Sequence, residues 1–98
     1  MIRLSSDAEG HLDALSAYYE ERDRPEATAG LLAAVERAAA RIERAPEAGL
    51  PAPRPYSSLA RAGWRWIKEG PYWIVHSTTQ PPVILGVFHE AADILSRL

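Results

Sequence analysis

Apolar residues recur with a helical period up to Ala45 and with a strand period from Trp64 onward, and a proline-rich stretch divides the two regimes. A chain that changes period in that order must lay a helical layer on a sheet, because each has one apolar side to hide. In the first regime Ala8, Leu12, Leu15 and Tyr19 recur at helical steps, with Glu9, Asp13, Glu20 and Arg22 on the opposite side. Ser6 followed by Glu9 reads as a capping box that starts this helix. Pro25 suits the first turn of a second helix, where its missing N–H costs nothing. Leu31, Val35, Ala38, Ile42 and Ala45 form the second stripe, and Pro46 ends it. Residues 7–45 therefore read as an αα-hairpin. Alanines at 33, 34, 38, 39 and 40 allow a neighbouring helix to come close.

The second regime holds three short runs. Trp64, Trp66 and Lys68 share one face of the first, and Arg65 and Ile67 the other. Tyr72, Ile74 and His76 share a face of the second, and Trp73 and Val75 the other. The third, Val83 to Phe88, is almost continuously apolar, as in a central strand buried on both faces. Gly70-Pro71 and Gln80-Pro81-Pro82 make turns short enough to force antiparallel neighbours. Ile2 to Ser5 alternates and suits one further short strand. The expectation is an α+β fold of order β-α-α-β-β-β, a helical hairpin on one face of a small antiparallel sheet. Ala91 to Leu98 would add a short C-terminal helix with Ile94, Leu95 and Leu98 inward. Between the regimes, Pro46 to Gly63 carries Pro46, Pro51, Pro53 and Pro55, and an irregular segment of that length is expected to be functional or mobile.

At 98 residues one domain spanning 1–98 is expected, and 47% hydrophobic residues exclude a disordered chain. No apolar run approaches a membrane helix, and the N-terminus lacks a signal-peptide pattern, so the cytoplasm is the expected location. With no cysteine, disulfides and thiolate metal sites are excluded. The net charge of −2 is uneven: residues 1–48 hold 6 Lys/Arg against 10 Asp/Glu, and residues 49–98 hold 5 against 3. Arg54, Arg61, Arg65 and Lys68 lie between Glu47 and Glu69 with no acid among them. They face an anion or acidic partner, or are simply solvated. Without an overall basic excess, direct nucleic-acid binding is not expected.

Several words in this order resemble the ParE/RelE superfamily of bacterial toxins from type II toxin–antitoxin pairs. They are Leu4-Ser5 leading to Leu12, Ala45-Pro46-Glu47-Ala48-Gly49, Gly70-Pro71-Tyr72-Trp73-Ile74, Val83 to His89, and the tail Ala92-Asp93-Ile94-Leu95-Ser96-Arg97-Leu98. Together they span nearly the whole chain. The resemblance implies a toxin neutralised by a cognate antitoxin, in a hetero-oligomer without cofactors.

Two branches of that superfamily differ in chemistry. RelE-like members cut messenger RNA on the ribosome with basic residues on the sheet; ParE-like members are gyrase poisons without an RNase site. Where RNase relatives often carry Arg before Val-x-His, this chain has Gly86, and where Arg is expected before the tail aspartate it has Ala92. His76 stands where many relatives have Tyr. In-line attack by a ribose hydroxyl needs a base, an acid and cations on the phosphate. Arg61, Arg65 and Lys68 could supply the cations and His76 or His89 a proton relay, with Arg61, Arg65, Lys68 and His89 the best catalytic candidates. They form no convincing constellation, so the resemblance favours the ParE-like branch, with DNA gyrase as target. Arg65, Lys68 and Arg97 would then face the target. Leu12, Leu15, Tyr19, Leu31, Val35 and Trp66 would face an antitoxin helix lying in a groove. The alternatives are the mRNA endonuclease and a decayed, non-toxic member that only binds antitoxin.

The remaining residues admit plainer readings. His76 and His89 lack a third metal ligand at useful spacing. His76 is expected to be half-exposed in the sheet, and His11 to be inert on an exposed helix side. Ser57 or Ser58 with a histidine and Asp93 lacks the elbow a serine triad needs. Three tryptophans on adjacent strands cannot all be buried in so small a sheet, so at least one is expected at a partner surface.

Overall fold

The computed structural model describes residues 2–91 and Ile94. The elements are β1 (Arg3–Leu4), α1 (Ser6–Glu21), α2 (Pro25–Arg44), a 3₁₀ turn (Ser57–Leu59), β2 (Trp64–Glu69), β3 (Tyr72–Ser77) and β4 (Val83–His89). The α+β fold and the order β-α-α-β-β-β are as the sequence predicts, with the helical hairpin on one face of a four-stranded sheet. Sheet order is β1-β4-β3-β2. β2, β3 and β4 are antiparallel neighbours, whereas β1 joins β4 in parallel through Arg3 opposite Val83 and Leu4 opposite Ile84. The sheet is therefore mixed. The hairpin α1–α2 carries the chain away from β1 and leaves the three later strands to form a meander, so β1 can reach only the open edge of β4.

The cap of α1 lies one residue before the predicted one. Ser5, in extended conformation, accepts from Ala8 N–H at 3.1 Å, while its hydroxyl donates to the Leu85 carbonyl at 3.2 Å. Ser5 and Ser6 both fit the capping pattern, and the β4 carbonyl decides between them. Asp7 and Glu9 then complement the positive end of the helix. Asp23, at φ 51°, turns the chain, and Pro25 opens α2. On α2, Leu31, Ala34, Val35, Ala38 and Ile42 are buried against the sheet. Ile67, Tyr72, Ile74, Ile84 and Val87 meet them from below. Each large aliphatic side chain so buried contributes about 1.5–3 kcal/mol.

A second apolar cluster lies on the other face of the sheet. It joins Trp66, Trp73, Val75 and Phe88 to Leu59 and Ile94, with Leu50, Tyr56 and Trp64 packed at its margin. The proline-rich stretch is therefore a structural cover. Leu50 exchanges two 2.7 Å backbone hydrogen bonds with Trp66, and Pro53 and Leu59 are buried. Gly49 makes this possible. At φ +112° its missing Cβ would stand 2.6 Å from the Trp66 carbonyl oxygen, a place closed to any side chain. Ile94 is the one described residue of the tail's predicted inward side, and it is fully buried. Leu95, Arg97 and Leu98 lie outside the described residues.

A bulge in β4 places both faces in register. Val75 pairs with Gly86 but His76 pairs with Ile84, so Leu85 is the extra residue. Ile84 and Val87 consequently both face the hairpin, while Leu85 and Phe88 face the second cluster.

The hairpin is also tied to the sheet by charge. Glu69, at the end of β2, receives Arg37 Nε and Arg41 Nη1 from α2, each at 3.1 Å. Burial raises the Glu69 carboxyl, but the hydrogen bonds and charges of Arg41 and Arg37 outweigh it and hold the group below the usual 4.5. A carboxylate lowered in the folded state stabilises above its unfolded value, and loses that contribution as pH falls through its folded value. Glu69→Gln is therefore expected to cost about 1 kcal/mol at neutral pH, given the exposed guanidinium partners. The gap from the parent should close below pH 4.5. Urea unfolding at neutral pH and in this acid range measures both, and a gap that persists in acid would contradict the ion pairs as its source.

Candidate functional site

A concavity of about 930 Å³ lies where the hairpin meets the ends of β3 and β4. Its apolar walls include Ala14, Leu15, Ala27, Val87 and Phe88. Among the described residues its polar lining is Tyr18, Tyr19, Tyr72, Arg24, Arg37 and the histidines 11 and 89, with no aspartate or glutamate. Inside it the hydroxyls of Tyr19 and Tyr72 share one hydrogen bond of 2.5 Å. Burial, reinforced by the Tyr19 hydroxyl, pushes the Tyr72 phenol above its ordinary range, with Arg24 opposing weakly. Tyr72 therefore stays a neutral hydrogen-bonding hydroxyl.

The two histidines of the cleft are held differently. His89 Nδ1 accepts from Ala91 N–H at 3.0 Å, and its ring stands edge-on to Tyr72. His11 is not the inert surface residue expected of it. Its Nδ1 accepts from Val87 N–H at 3.3 Å, and its ring lies 4.6 Å from Phe88. β1 covers only the first two residues of β4, so the next stretch of that edge needs another acceptor, and α1 supplies it. His76 is fully buried rather than half-exposed, with Nδ1 and Nε2 each 2.9 Å from a carbonyl oxygen, of Ser77 and Ala48 respectively. It ties β3 to the start of the proline-rich cover. Among the described residues no group of three or more His, Cys, Asp and Glu side chains could hold a metal ion.

The residues expected to face an antitoxin separate into two sets. Leu31 and Trp66 have no exposed surface, and Val35 and Tyr19 retain under a tenth, so all four are core in the free chain. Leu12 and Leu15 are half-buried at the margin of the same cluster. Leu15 and Tyr19 both line the cleft. Half-exposed Tyr18 and Leu32 were not singled out from the sequence. Of the three tryptophans, Trp64 is the partly exposed one.

The basic residues do not converge. Arg65 and Lys68 leave opposite faces of β2. Lys68 pairs with Glu90 at 2.7 Å, and its ammonium sits 5.5 Å from the Trp73 ring centre. Arg65 donates to the Trp64 carbonyl at 3.0 Å. Arg61 lies over the Trp64 ring at 4.7 Å, about four strand residues or roughly 13 Å along β2 from Lys68. His89 belongs to the cleft. The four catalytic candidates thus occupy separate places, and Arg97 lies outside the described residues. Gly86, which replaces the arginine of the RNase pattern, is buried, with Phe88 and Val75 occupying the space beside it.

Among the described residues no helix is long and apolar enough to cross a membrane. No individually curated relative matches the chain. The family described as ParE toxin of type II toxin-antitoxin system, parDE, matches residues 2–94 of the 98. With the hairpin-on-sheet architecture and a match over nearly its whole length, the chain belongs to the ParE toxin family of type II toxin–antitoxin systems.

Proposed function

We propose that this toxin acts in the cytoplasm as a binding inhibitor of DNA gyrase and is neutralised by a cognate antitoxin docked on the hairpin and the adjoining cleft. The observation that carries the non-catalytic reading is the dispersal of Arg61, Arg65, Lys68 and His89, together with the filled space at Gly86. Phosphodiester cleavage requires cation, base and acid around one phosphate, and no three of these side chains share a face and an end of the sheet. The antitoxin reading draws on the family, in which a toxin is paired with an antitoxin, and on the part-exposed apolar residues Leu12, Leu15 and Tyr18. A partner segment that folds only on binding would give tight but switchable control. On the target side, Arg65, Lys68 and Arg97 are assigned to gyrase.

The test is induction of the chain alone in a bacterial host, scored for growth, gyrase-dependent DNA breaks and codon-positioned mRNA cuts. Growth arrest with DNA breaks and intact messages is the expected result. Arrest with codon-positioned cuts would replace this reading with the mRNA endonuclease. Removal of Ser96 to Leu98 should abolish toxicity while antitoxin capture persists, and toxicity that survives the truncation would count against the tail.

A further inference from the structure

Between the acidic first half of the chain and the ends of β3 and β4 lies a cleft whose described lining is apolar groups, phenols, guanidinium groups and imidazoles. Residues 1–48 carry 10 acids against 6 bases, yet among the described residues no carboxylate lines the cleft. Two phenol hydroxyls meet there over one hydrogen bond, so one hydroxyl proton is used and the other has no acceptor among the described residues. Among the described residues Arg24 and Arg37 each engage a carboxylate through Nε alone, with Glu26 and Glu69 respectively. Their terminal guanidinium nitrogens remain as donors. An unused hydroxyl proton beside guanidinium groups, in a half-enclosed site, calls for an anionic acceptor.

We propose that this end of the cleft receives the carboxylate of an acidic side chain of the antitoxin, bonded by the Tyr19–Tyr72 hydroxyl pair and faced by Arg24 and Arg37. This rests on the antitoxin-docking reading and deepens it. The flanking walls, Leu15 and Phe88, take the stem of that side chain and its apolar neighbours. An acid at that place gives register as well as affinity. Sliding the partner by one residue would leave the hydroxyl proton without an acceptor and expose the carboxylate to an apolar wall.

The test uses the full chain, with 3-phenylpropionate and its amide as probes of equal shape, titrated by NMR and calorimetry. The acid should bind saturably, shifting Tyr19, Tyr72 and His89, and the amide at least about tenfold more weakly. Tyr72→Phe and Arg24→Gln should each weaken the acid by about tenfold while the urea midpoint confirms a folded chain. Equal binding of acid and amide, or an unaffected Tyr72→Phe, overturns the carboxylate site. A complex with the antitoxin from the adjacent reading frame should exclude the acid. A complex that still takes it up overturns the antitoxin as occupant and assigns the site to a free carboxylate. A chain that binds the acid yet captures no antitoxin would instead refute the docking reading and leave the carboxylate site standing.

Discussion

Trp66→Ala is expected to cost about 4 kcal/mol, enough to leave much of the protein unfolded at ambient temperature. The indole has no exposed surface and packs between Trp64 and Phe88, at ring-centre distances of 6.4 and 5.9 Å. Its backbone also anchors the proline-rich cover through Leu50. Truncation would open a cavity under that cover, and the prolines above it limit how far the cover can collapse to fill it. Trp66→Phe separates the core role from partner contact. The buried Nε1–H has no hydrogen-bond partner among the described residues, so phenylalanine removes an unsatisfied donor while giving up part of the volume. It should cost about 1–2 kcal/mol by urea unfolding and leave antitoxin capture unchanged. A phenylalanine variant of near-native stability that loses antitoxin tenfold would instead make Trp66 a partner contact.

What could be read from the sequence was whatever period and punctuation determine. The α2 stripe, Pro25 at its start and the faces of β2 and β3 follow from steps of 3.6 and 2. What could not be read depends on groups far apart in the chain. The pairing of β1 with β4 involves two residues on each strand and has no signature in either. His11 lies on a helix flank whose role is decided by an open N–H on β4, 76 positions away. The proline-rich stretch reads as a loop because its buried residues, Pro53 and Leu59, are isolated; only the underside of the sheet shows what they cover.

The cleft falls between these cases. Period alone puts Tyr19 on the apolar stripe of α1 and Tyr72 on one face of β3 with Ile74, yet their contact spans 53 positions. A signal was available: each phenol stands next to the end of its element, and phenols buried at such places usually need a partner for their hydroxyls. The basic residues show the opposite limit. Their nearness in sequence suggested a patch, and the alternation of β2 divides it, sending Arg65 to the hairpin face and Lys68 to the other. Arg61 then packs on Trp64 and Lys68 on Glu90. Charge density along a chain does not become charge density on a surface when the chain is a strand.

Gly86→Arg is the second large effect, and it bears on how the toxin works. Arginine is the residue that the RNase pattern often carries at the matching position, so the substitution asks whether catalysis is one side chain away. A Cβ at Gly86 would meet the Phe88 ring at 2.8 Å and Val75 Cγ1 at 3.1 Å. The remainder of the side chain would enter the apolar cluster of Trp66, Trp73 and Phe88, which among the described residues holds no carboxylate to pair with a guanidinium. Steric overlap and an unpaired buried charge together are expected to cost at least about 4 kcal/mol. The variant should therefore be insoluble or unfolded, and should make no codon-positioned cuts with translating ribosomes. Gly86→Ala, which adds only the Cβ, should cost about 1 kcal/mol because the Phe88 ring edge must give way. If Gly86→Arg instead melts like the parent and cleaves messages, the cluster can open to carry an active site, and the inhibitor reading fails. If it unfolds while Gly86→Ala does not, the sheet has been packed around the missing side chain. A ribonuclease would then need repacking of Phe88, Val75 and their neighbours, not a single substitution.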